Sequence, residues 1–197
     1  GRVGAMRPAN NMDGAVDRPR DDMNRELPHL NAIDKVEDVR DVLRGVADLG
    51  DIVELGEDFA PSMVTALGKI GGATVGFIAN QPAKDEGRLT VYGCKKAARF
   101  AAFCDCFSIP VITVVDSMGM KISTAPQGEL SRAGAQLLFA LSEATTPRIA
   151  LVIGQAIGMS YAALASRAVS DMVYAWPGSV FSPVSAPIAA QLLYADE

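Results

Sequence analysis

The chain has 197 residues, of which 49% are hydrophobic, enough to bury the core of one domain with an appendage. Its net charge of −5 argues against a nucleic-acid partner, because nucleic acids attract basic surfaces. No apolar run reaches the roughly 18 to 20 residues that a membrane-spanning helix needs, so no membrane span is expected.

Three cysteines, Cys94, Cys104 and Cys106, lie close together in the sequence. Their odd number, and the lack of an apolar secretory segment at the start, predict a reducing, cytoplasmic location. Their spacing is not that of a zinc site, so we expect them to be packing residues and expect no bound metal. The one histidine, His29, lies in a polar segment and is expected in a loop, which argues against a Ser-His-Asp triad.

The first third of the chain is predicted to hold an arm, a helix and a hairpin. Residues 1–33 are polar and aperiodic and are interpreted as a linker or arm, and residues 34–197 as the domain. Apolar residues at helical spacing predict a helix over 34–49 with Asp34 as its N-cap. The remaining predictions are a short strand over 52–55, a short helix or turn over 61–67, a hairpin over 69–79 around Gly71-Gly72, and a loop over 80–93.

From residue 94 onward, helices and strands alternate. We expect helices over 94–107 and 130–141, strands over 111–115, 149–153 and 172–175, an extended piece at 180–181, and a last helix from 188. Such alternation is typical of an α/β fold with a largely parallel sheet. The sequence stops inside a predicted helix, which favours a domain truncated at its carboxyl-terminal end.

The stretch 148–161 is the strongest candidate for a functional site. An apolar run predicts a buried strand that Gly154 ends, followed by a helix that starts in the interior near Gly158. A buried helix start presents backbone N–H donors without intrahelical partners, and these suit an oxygen that becomes negative during a reaction. The alternative is that Gly154 and Gly158 only allow a helix to pack closely on the sheet.

Side chains offer little other chemistry. The sequence contains no Gly-x-Ser-x-Gly, Walker or Gly-x-Gly-x-x-Gly motif. The carboxylate pairs Asp21-Asp22 and Asp85-Glu86 lie in polar segments that predict solvated loops. If the chain takes part in catalysis, backbone donors are the expected means.

Several short motifs follow one another along the chain. They are Asn80-Gln81-Pro82, Lys96 to Phe100, Phe103-Cys104-Asp105, Ile109-Pro110, Val115-Asp116 with Gly119, Arg132 to Ala135, Glu143-Ala144-Thr145 and Tyr174 to Pro177. Their order and spacing resemble those of the biotin-dependent carboxyltransferases. From about Arg20 to its end the chain resembles the carboxyl-terminal half of an acyl-CoA carboxyltransferase β subunit, of the propionyl-CoA and acetyl-CoA carboxylase type.

The resemblance implies a crotonase-like fold, a spiral of ββα units. It also implies a reaction that moves a carboxyl group between carboxybiotin, carried on a partner protein or domain, and the α-carbon of an acyl-CoA. Backbone amides serve as the oxyanion hole. The implied partners are the amino-terminal carboxyltransferase half, which binds the CoA ester, the biotin carboxyl carrier, the biotin carboxylase and further copies of the chain in a homo-oligomer. Without the CoA-binding half, the fragment alone is expected to be inactive.

The family's Gly-Gly-Ala-Tyr turn corresponds to Gly158-Met159-Ser160-Tyr161. The resemblance implies that the amides of Met159 and Ser160 bind the ureido oxygen of biotin and that Tyr161 lines the biotin pocket. Met159 replaces the second glycine of the family and is expected to crowd the biotin. Ala162, which is also placed in the biotin pocket, stands where many members have Asp, which removes a polar group near the acyl end.

A second departure lies at Asp116 to Met120, where the family usually has Asp-x-Pro-Gly-Phe. The resemblance places Gly119 and Met120 in the biotin pocket, with Met120 in place of Phe.

Three alternatives stay open at this point. One is a biotin-dependent decarboxylase subunit acting on methylmalonyl-CoA or glutaconyl-CoA, and another is a non-catalytic half that dimerises or acts as a scaffold. The third is a Clp-type serine peptidase, which shares the superfold. The sequence argues against the third, because the nucleophile position is Gly158 and no histidine lies nearby.

Overall fold

The computed structural model describes residues 21–22, 24–27, 36–121, 127–184 and 186–193. His29 and Asp34 lie outside these residues, so the expectation of His29 in a loop stays a prediction. Within them, seven strands form one sheet in the order β1-β2-β3-β4-β5-β6, with β7 paired to β5. The strands are β1 Ile52–Glu54, β2 Met63–Ile70, β3 Ala73–Asn80, β4 Val111–Ser117, β5 Arg148–Ile157, β6 Met172–Ala175 and β7 Val180–Ser182.

Strands β1 to β3 form the antiparallel part of the sheet. Gly71 and Gly72 join β2 to β3 with φ angles of 59° and 82°, a left-handed conformation that glycine adopts readily. The predicted hairpin is therefore confirmed. The prediction of a helix or turn over 61–67 is wrong, because β2 begins at Met63. Six consecutive residues of β2 are buried, so the strand lacks the alternating pattern that would have marked it in the sequence.

Strands β3 to β6 form the parallel part, and two long helices connect them. The helix α2, Val91–Cys106, links β3 to β4, and α3, Gln127–Glu143, links β4 to β5. Thr90 begins α2 as its N-cap, since its Oγ1 accepts a hydrogen bond from the Gly93 amide at 3.0 Å. The predicted α/β alternation is confirmed.

The helix α1 spans Val39–Val46, and its N-cap is Asp38. The prediction of Asp34 as the cap is wrong. The Asp38 carboxylate accepts hydrogen bonds from the Arg40 amide at 2.8 Å and from the Gln81 side chain at 2.7 Å. Gln81 is buried and also accepts a bond from the Val39 amide at 3.3 Å. The start of α1 is thus fixed by a side chain that follows β3.

Apolar side chains cover both faces of the sheet. One cluster lies between the sheet and the helices α2 and α3, and includes Phe100 and Leu137. The other lies between the sheet and α1, and includes Leu43 and Phe77. This two-sided burial explains the continuous apolar runs of the strands and fixes the carboxyl ends of β4 and β5, where the candidate site lies.

Part of the predicted arm packs on the domain. An Arg25 guanidinium nitrogen lies 2.8 to 3.0 Å from the carbonyl oxygens of Gly45, Val46 and Ala47, at the end of α1. Asp21 accepts a hydrogen bond from the Leu49 amide at 2.9 Å. The domain boundary at residue 33 stays a prediction. The last described helix, α4, spans Ala186–Leu193.

Candidate functional site

The strand that leads into the candidate site is longer than predicted. β5 continues through Gly154 to Ile157, so the expectation that Gly154 ends the strand is wrong. A Cβ atom at Gly154 would lie 2.5 Å from Cγ of Asp116, a separation that real Cβ atoms do not tolerate. Gly154 therefore admits a carboxylate from the neighbouring strand.

The Asp116 carboxylate lies where the pairing of β4 with β5 becomes irregular. The register shifts between Val115 and Ser117. In this irregularity Oδ1 of Asp116 accepts a hydrogen bond from the Gln155 amide at 2.9 Å. The carboxylate thus holds the last part of β5, which carries the Gly158 turn. Asp116 belongs to one of the sequence motifs, but the sequence alone does not predict this role for it.

The turn after β5 is built around Gly158. Its φ of +56° is left-handed, and its amide donates to the Ser182 carbonyl of β7 at 2.8 Å. The chain then enters a short helix that becomes a π-helical turn at Tyr161–Ala165. The Ala162 amide donates to the Gly158 carbonyl at 3.1 Å, which closes the first turn. The amides of Met159 and Ser160 lie inside that turn and have no intrahelical acceptor.

The Met159 side chain packs against the helix α3. It is half-buried, and its Cγ lies 3.3 Å from the position that a Cβ of Gly134 would occupy. Gly134 therefore makes room for Met159. This contact turns the side chain toward α3, while the Met159 amide stays in the first turn. The expected crowding of a biotin by Met159 stays a prediction.

Ser160 is connected to the end of β4. Its hydroxyl lies 2.6 Å from the hydroxyl of Ser117, and the two residues are 0% and 1% exposed. The Ser117 oxygen also accepts a hydrogen bond from the Gly119 amide at 3.3 Å. Sequence reasoning missed this pair, because nothing in the local pattern around either serine points to the other.

The loop after β4 approaches the same turn. Gly119 has a φ of +99°, and a Cβ there would lie 3.3 Å from the Ile157 carbonyl oxygen. The Gly119 carbonyl accepts a hydrogen bond from the Leu89 amide at 2.8 Å. Met120 is half-buried and packs on the core beside α2 and α3. The structure thus brings Gly119 next to the residue that precedes Gly158.

Tyr161 and Ala162 lie on the outer side of the turn. Tyr161 is 37% exposed, and its ring meets the Phe181 ring edge-to-face with 6.0 Å between the ring centroids. Ala162 is half-buried, and its carbonyl accepts a hydrogen bond from the Ser166 hydroxyl at 2.7 Å. The turn therefore presents a partly exposed aromatic ring one residue after the amides of Met159 and Ser160.

A separate groove of about 830 Å³ lies beside α2. Lys96 lies at its inner edge and donates from Nζ to the carbonyls of Phe59 at 2.8 Å and Met63 at 2.7 Å. Burial lowers the pKa of Lys96. Phe59 and Tyr92 meet edge-to-face at its rim. These contacts indicate that the Lys96 ammonium stabilises the fold by binding two backbone carbonyls.

The cysteines divide into a buried pair and an exposed residue. Cys94 and Cys104 lie in the core, and Cys106 is exposed. Burial raises the pKa of the Cys94 thiol to about 11 and that of the Cys104 thiol to about 12, so neither is a nucleophile near neutral pH. Within the described ranges no three His, Cys, Asp or Glu side chains are grouped to hold a metal ion.

The Carboxyl transferase domain family matches residues 4–197, nearly the whole sequence. The chain belongs to this family.

Two curated relatives are similar along almost the whole chain. The methylmalonyl-CoA carboxyltransferase 12S subunit of Propionibacterium freudenreichii subsp. shermanii is 39% identical over 197 residues, which cover 96% of this chain and 38% of the relative. The propionyl-CoA carboxylase carboxyltransferase subunit of Haloferax mediterranei is 37% identical over 198 residues, with 96% and 38% covered. The chain spans about 38% of the length of these relatives.

A solved structure matches the fold closely. The transcarboxylase 12S crystal structure, a hexamer described with methylmalonyl-coenzyme A and methylmalonic acid bound, aligns with a TM-score of 0.90 at 35% identity. The alignment covers 98% of this chain and 39% of that one. The predicted crotonase-like fold is thereby confirmed. Among the described residues, no helix has both the length and the apolar character needed to span a bilayer.

Proposed function

We propose that this chain supplies the biotin-side half of a carboxyltransferase active site, which moves a carboxyl group between a carrier-bound biotin and the α-carbon of an acyl-CoA. The observation that carries the proposal is the Gly158 turn, whose first-turn amides at Met159 and Ser160 lie beside the Gly119 loop in a chain of this family. Propionyl-CoA and acetyl-CoA are the acyl substrates that the proposal favours.

The residues present fit a biotin. A ureido group is small and carries an oxygen that accepts hydrogen bonds, so two backbone donors and an exposed aromatic ring suit it better than charged side chains. The amide of the half-buried Met159 supplies one donor. Ser160 is 0% exposed, so its amide supplies the second donor only if the turn shifts when biotin binds. Tyr161, with Ala162, Gly119 and Met120, supplies the walls. When bound, biotin supplies the carboxyl group that is transferred.

The chain contributes to the reaction through its backbone. Each amide aimed at an oxygen that gains negative charge stabilises the transition state by about 3 kcal/mol, because the donors are already oriented before the charge develops. The helix dipole adds to the same effect. Neither contribution depends on a titratable side chain.

The remaining parts of the reaction belong to partners. We infer that an amino-terminal carboxyltransferase half binds the CoA ester, that a biotin carboxyl carrier brings the cofactor from a biotin carboxylase, and that the subunits form a homo-oligomer. The similarity over 38% of the length of the relatives supports a division of labour of this kind. A cytoplasmic location and the carboxylation direction stay predictions.

The test uses a hybrid subunit in which this chain follows the amino-terminal half of the Propionibacterium 12S subunit. Transfer of labelled carboxyl from methylmalonyl-CoA to free biotin is measured for the unmodified hybrid, Met159→Ala and Met159→Pro. Proline is tolerated in the first position of a helix but lacks the N–H, whereas alanine keeps it. Both variants lose the Met159 side chain, but the proline variant lacks the N–H and also adds a ring that restricts Gly158. The urea midpoints of both variants are therefore measured as well, and must agree for the comparison to report on the proposed donor.

We expect Met159→Pro to lower the rate constant for transfer by at least about a hundredfold relative to Met159→Ala, as the loss of one oxyanion donor does elsewhere. Equal rates in the two variants would exclude the amide as a donor and leave the scaffold alternative. The 197-residue chain alone is expected to transfer nothing, and loss of CO2 from the acyl-CoA without labelled biotin would favour the decarboxylase alternative.

A further inference from the structure

The hydroxyls of Ser117 and Ser160 form an isolated polar link in the interior. They lie 2.6 Å apart, and both residues are essentially without solvent exposure. Buried hydroxyls are costly unless they are hydrogen-bonded, so a pair of them in an otherwise apolar region needs a reason. Ser117 is the last residue of β4, and Ser160 lies in the first turn after Gly158.

Donor and acceptor counting fixes the direction of the link. A serine hydroxyl has one proton to donate. If Ser160 donates to Ser117, the Ser117 proton can go to the Gly119 carbonyl at 3.4 Å, while Ser117 accepts from the Gly119 amide at 3.3 Å. In the opposite direction, the Ser160 proton has no recorded acceptor among the described residues. The first arrangement satisfies both hydroxyls, so Ser160 is the donor.

The link crosses a place where the sheet alone does not fix the geometry. Val115 pairs with Val152, but the next pair is Ser117 with Ala156, so β5 has three residues between the pairs and β4 has one. Regular ladder bonds are therefore interrupted just before the two segments that form the site. The hydrogen bond between Ser117 and Ser160 connects the two segments beyond the interruption.

We propose that the Ser117–Ser160 pair is a positioning device for the biotin-side site. It holds the first-turn amides of Met159 and Ser160 at a fixed place relative to the Gly119 loop, so that the donors and the opposite wall of the pocket keep their spacing. The proposal rests on the proposed function. Neither serine side chain touches the reacting atoms.

The test compares Ser117→Ala, Ser160→Ala and the double variant. Ser117→Ala leaves the buried Ser160 hydroxyl without its acceptor, and Ser160→Ala leaves the buried Ser117 hydroxyl with only its long contacts to Gly119 at 3.3 and 3.4 Å, whereas the double variant leaves an apolar contact of similar shape. We therefore expect both single variants to lower the urea midpoint of the 197-residue chain and the double variant to recover most of the loss. Any buried, hydrogen-bonded pair would show this pattern of urea midpoints, so the pattern alone does not test positioning.

Two further measurements separate positioning from packing. In the double variant, hydrogen exchange of the Gly158 and Ala162 amides, which donate to the carbonyls of Ser182 and Gly158, is expected to become at least about tenfold faster, with β2 and β3 unchanged. In the hybrid subunit, the double variant is expected to lower kcat for transfer to biotin by about tenfold at an unchanged KM for methylmalonyl-CoA, since small displacements of catalytic groups are costly.

Unchanged hydrogen exchange in the double variant would overturn the proposal. Faster exchange with an unchanged kcat would also overturn it, because the pair would then contribute to packing and not to positioning. If the unmodified hybrid transfers nothing, the proposed function fails instead. Exchange at the Gly158 and Ala162 amides then decides by itself whether the pair holds the turn against the Gly119 loop.

Discussion

The Asp116 carboxylate occupies the space beside Gly154 that the side chain of any other residue would fill. A Cβ at position 154 would lie 2.5 Å from Cγ of Asp116, and the Asp116 Oδ1 accepts the Gln155 amide at 2.9 Å. Removal of a side chain from β5 thus allows a carboxylate from β4 to hold the strand where their pairing is irregular. The end of β5 carries the Gly158 turn, so this contact helps to fix the position of the candidate site.

Gly154→Ala is expected to lower the free energy of unfolding of the 197-residue chain by about 2 to 3 kcal/mol, because the added methyl group overlaps the Asp116 carboxylate and neither backbone can move freely. Urea denaturation followed by circular dichroism measures the change.

Asp116→Ala provides the matched control for Gly154→Ala. It removes the clash but also leaves the Gln155 amide without its acceptor, so it is expected to be destabilising by itself. In the double variant, Gly154→Ala should then add less than about 0.5 kcal/mol, because the two effects share one contact. A Gly154→Ala single variant with native stability would show that the strand relaxes around the methyl group.

The same position shows what the sequence could reveal. The helices α2 and α3 and the strands β4 to β7 follow from apolar periodicity, which depends on neighbouring residues and on burial alone. A glycine that ends a strand and a glycine that admits a side chain from the next strand look identical in a sequence. The sequence therefore predicts correctly that Gly154 ends an apolar run, but the prediction that it ends the strand is wrong.

Long-range partners explain the other differences. Asp38 rather than Asp34 is the N-cap of α1, and the side chain that fixes it, Gln81, is 43 positions away. The Ser117–Ser160 link also joins residues 43 positions apart. Local patterns carry no information on such pairs. The site could be predicted as a turn with free amides, but the contacts that hold the turn could not.

Gly134→Ala is expected to have opposite effects in two backgrounds. With Met159 present, the new methyl group meets the Met159 Cγ at 3.3 Å, and we expect a loss of about 1 kcal/mol in the free energy of unfolding. With Met159→Gly the space is open, and the same substitution should stabilise α3 by about 0.5 to 1 kcal/mol through helix propensity. Urea denaturation of the four proteins gives both values.

Gly128→Ala is a suitable control for the effect of helix propensity, because no atom of the described residues lies within 4 Å of a Cβ at Gly128. It should have the same small effect in both backgrounds. A Gly134→Ala effect that does not change sign would mean that the Met159 side chain moves aside, and the contact with α3 would then have little influence on the site.

Cys106 is expected to react with iodoacetamide well before Cys94 and Cys104. Cys106 is exposed, whereas the other two thiols are buried with pKa values raised to about 11 and 12. Intact mass spectrometry at pH 8 should show a single adduct on the folded chain and three adducts in urea. Cys106→Ser is the control and should leave the folded chain unlabelled. Rapid addition of three adducts under native conditions would contradict the burial of Cys94 and Cys104.

The buried thiols also predict a pH dependence. Each thiol has a folded-state pKa above its ordinary value of 9.0, so burial favours the protonated form. The stability that this supplies is complete below pH 9 and is lost as the pH rises toward 11 and 12. The urea midpoint should therefore fall above pH 9, and Cys94→Ala should reduce the slope. A slope that Cys94→Ala leaves unchanged would assign the alkaline loss of stability to other groups.

Lys96→Met is expected to lower the free energy of unfolding by about 2 kcal/mol. The Lys96 ammonium donates to the carbonyls of Phe59 and Met63, and methionine of similar length leaves both acceptors without this donor. Lys95→Met is the matched control, because its exposed side chain pairs with Glu129 at 3.4 Å and lies 5.8 Å from the centroid of the Tyr92 ring, so a change of no more than about 1 kcal/mol is expected. Equal effects of the two substitutions in urea denaturation would show that the carbonyls of Phe59 and Met63 are hydrated when the Lys96 ammonium is absent. The ammonium would then contribute little to stability.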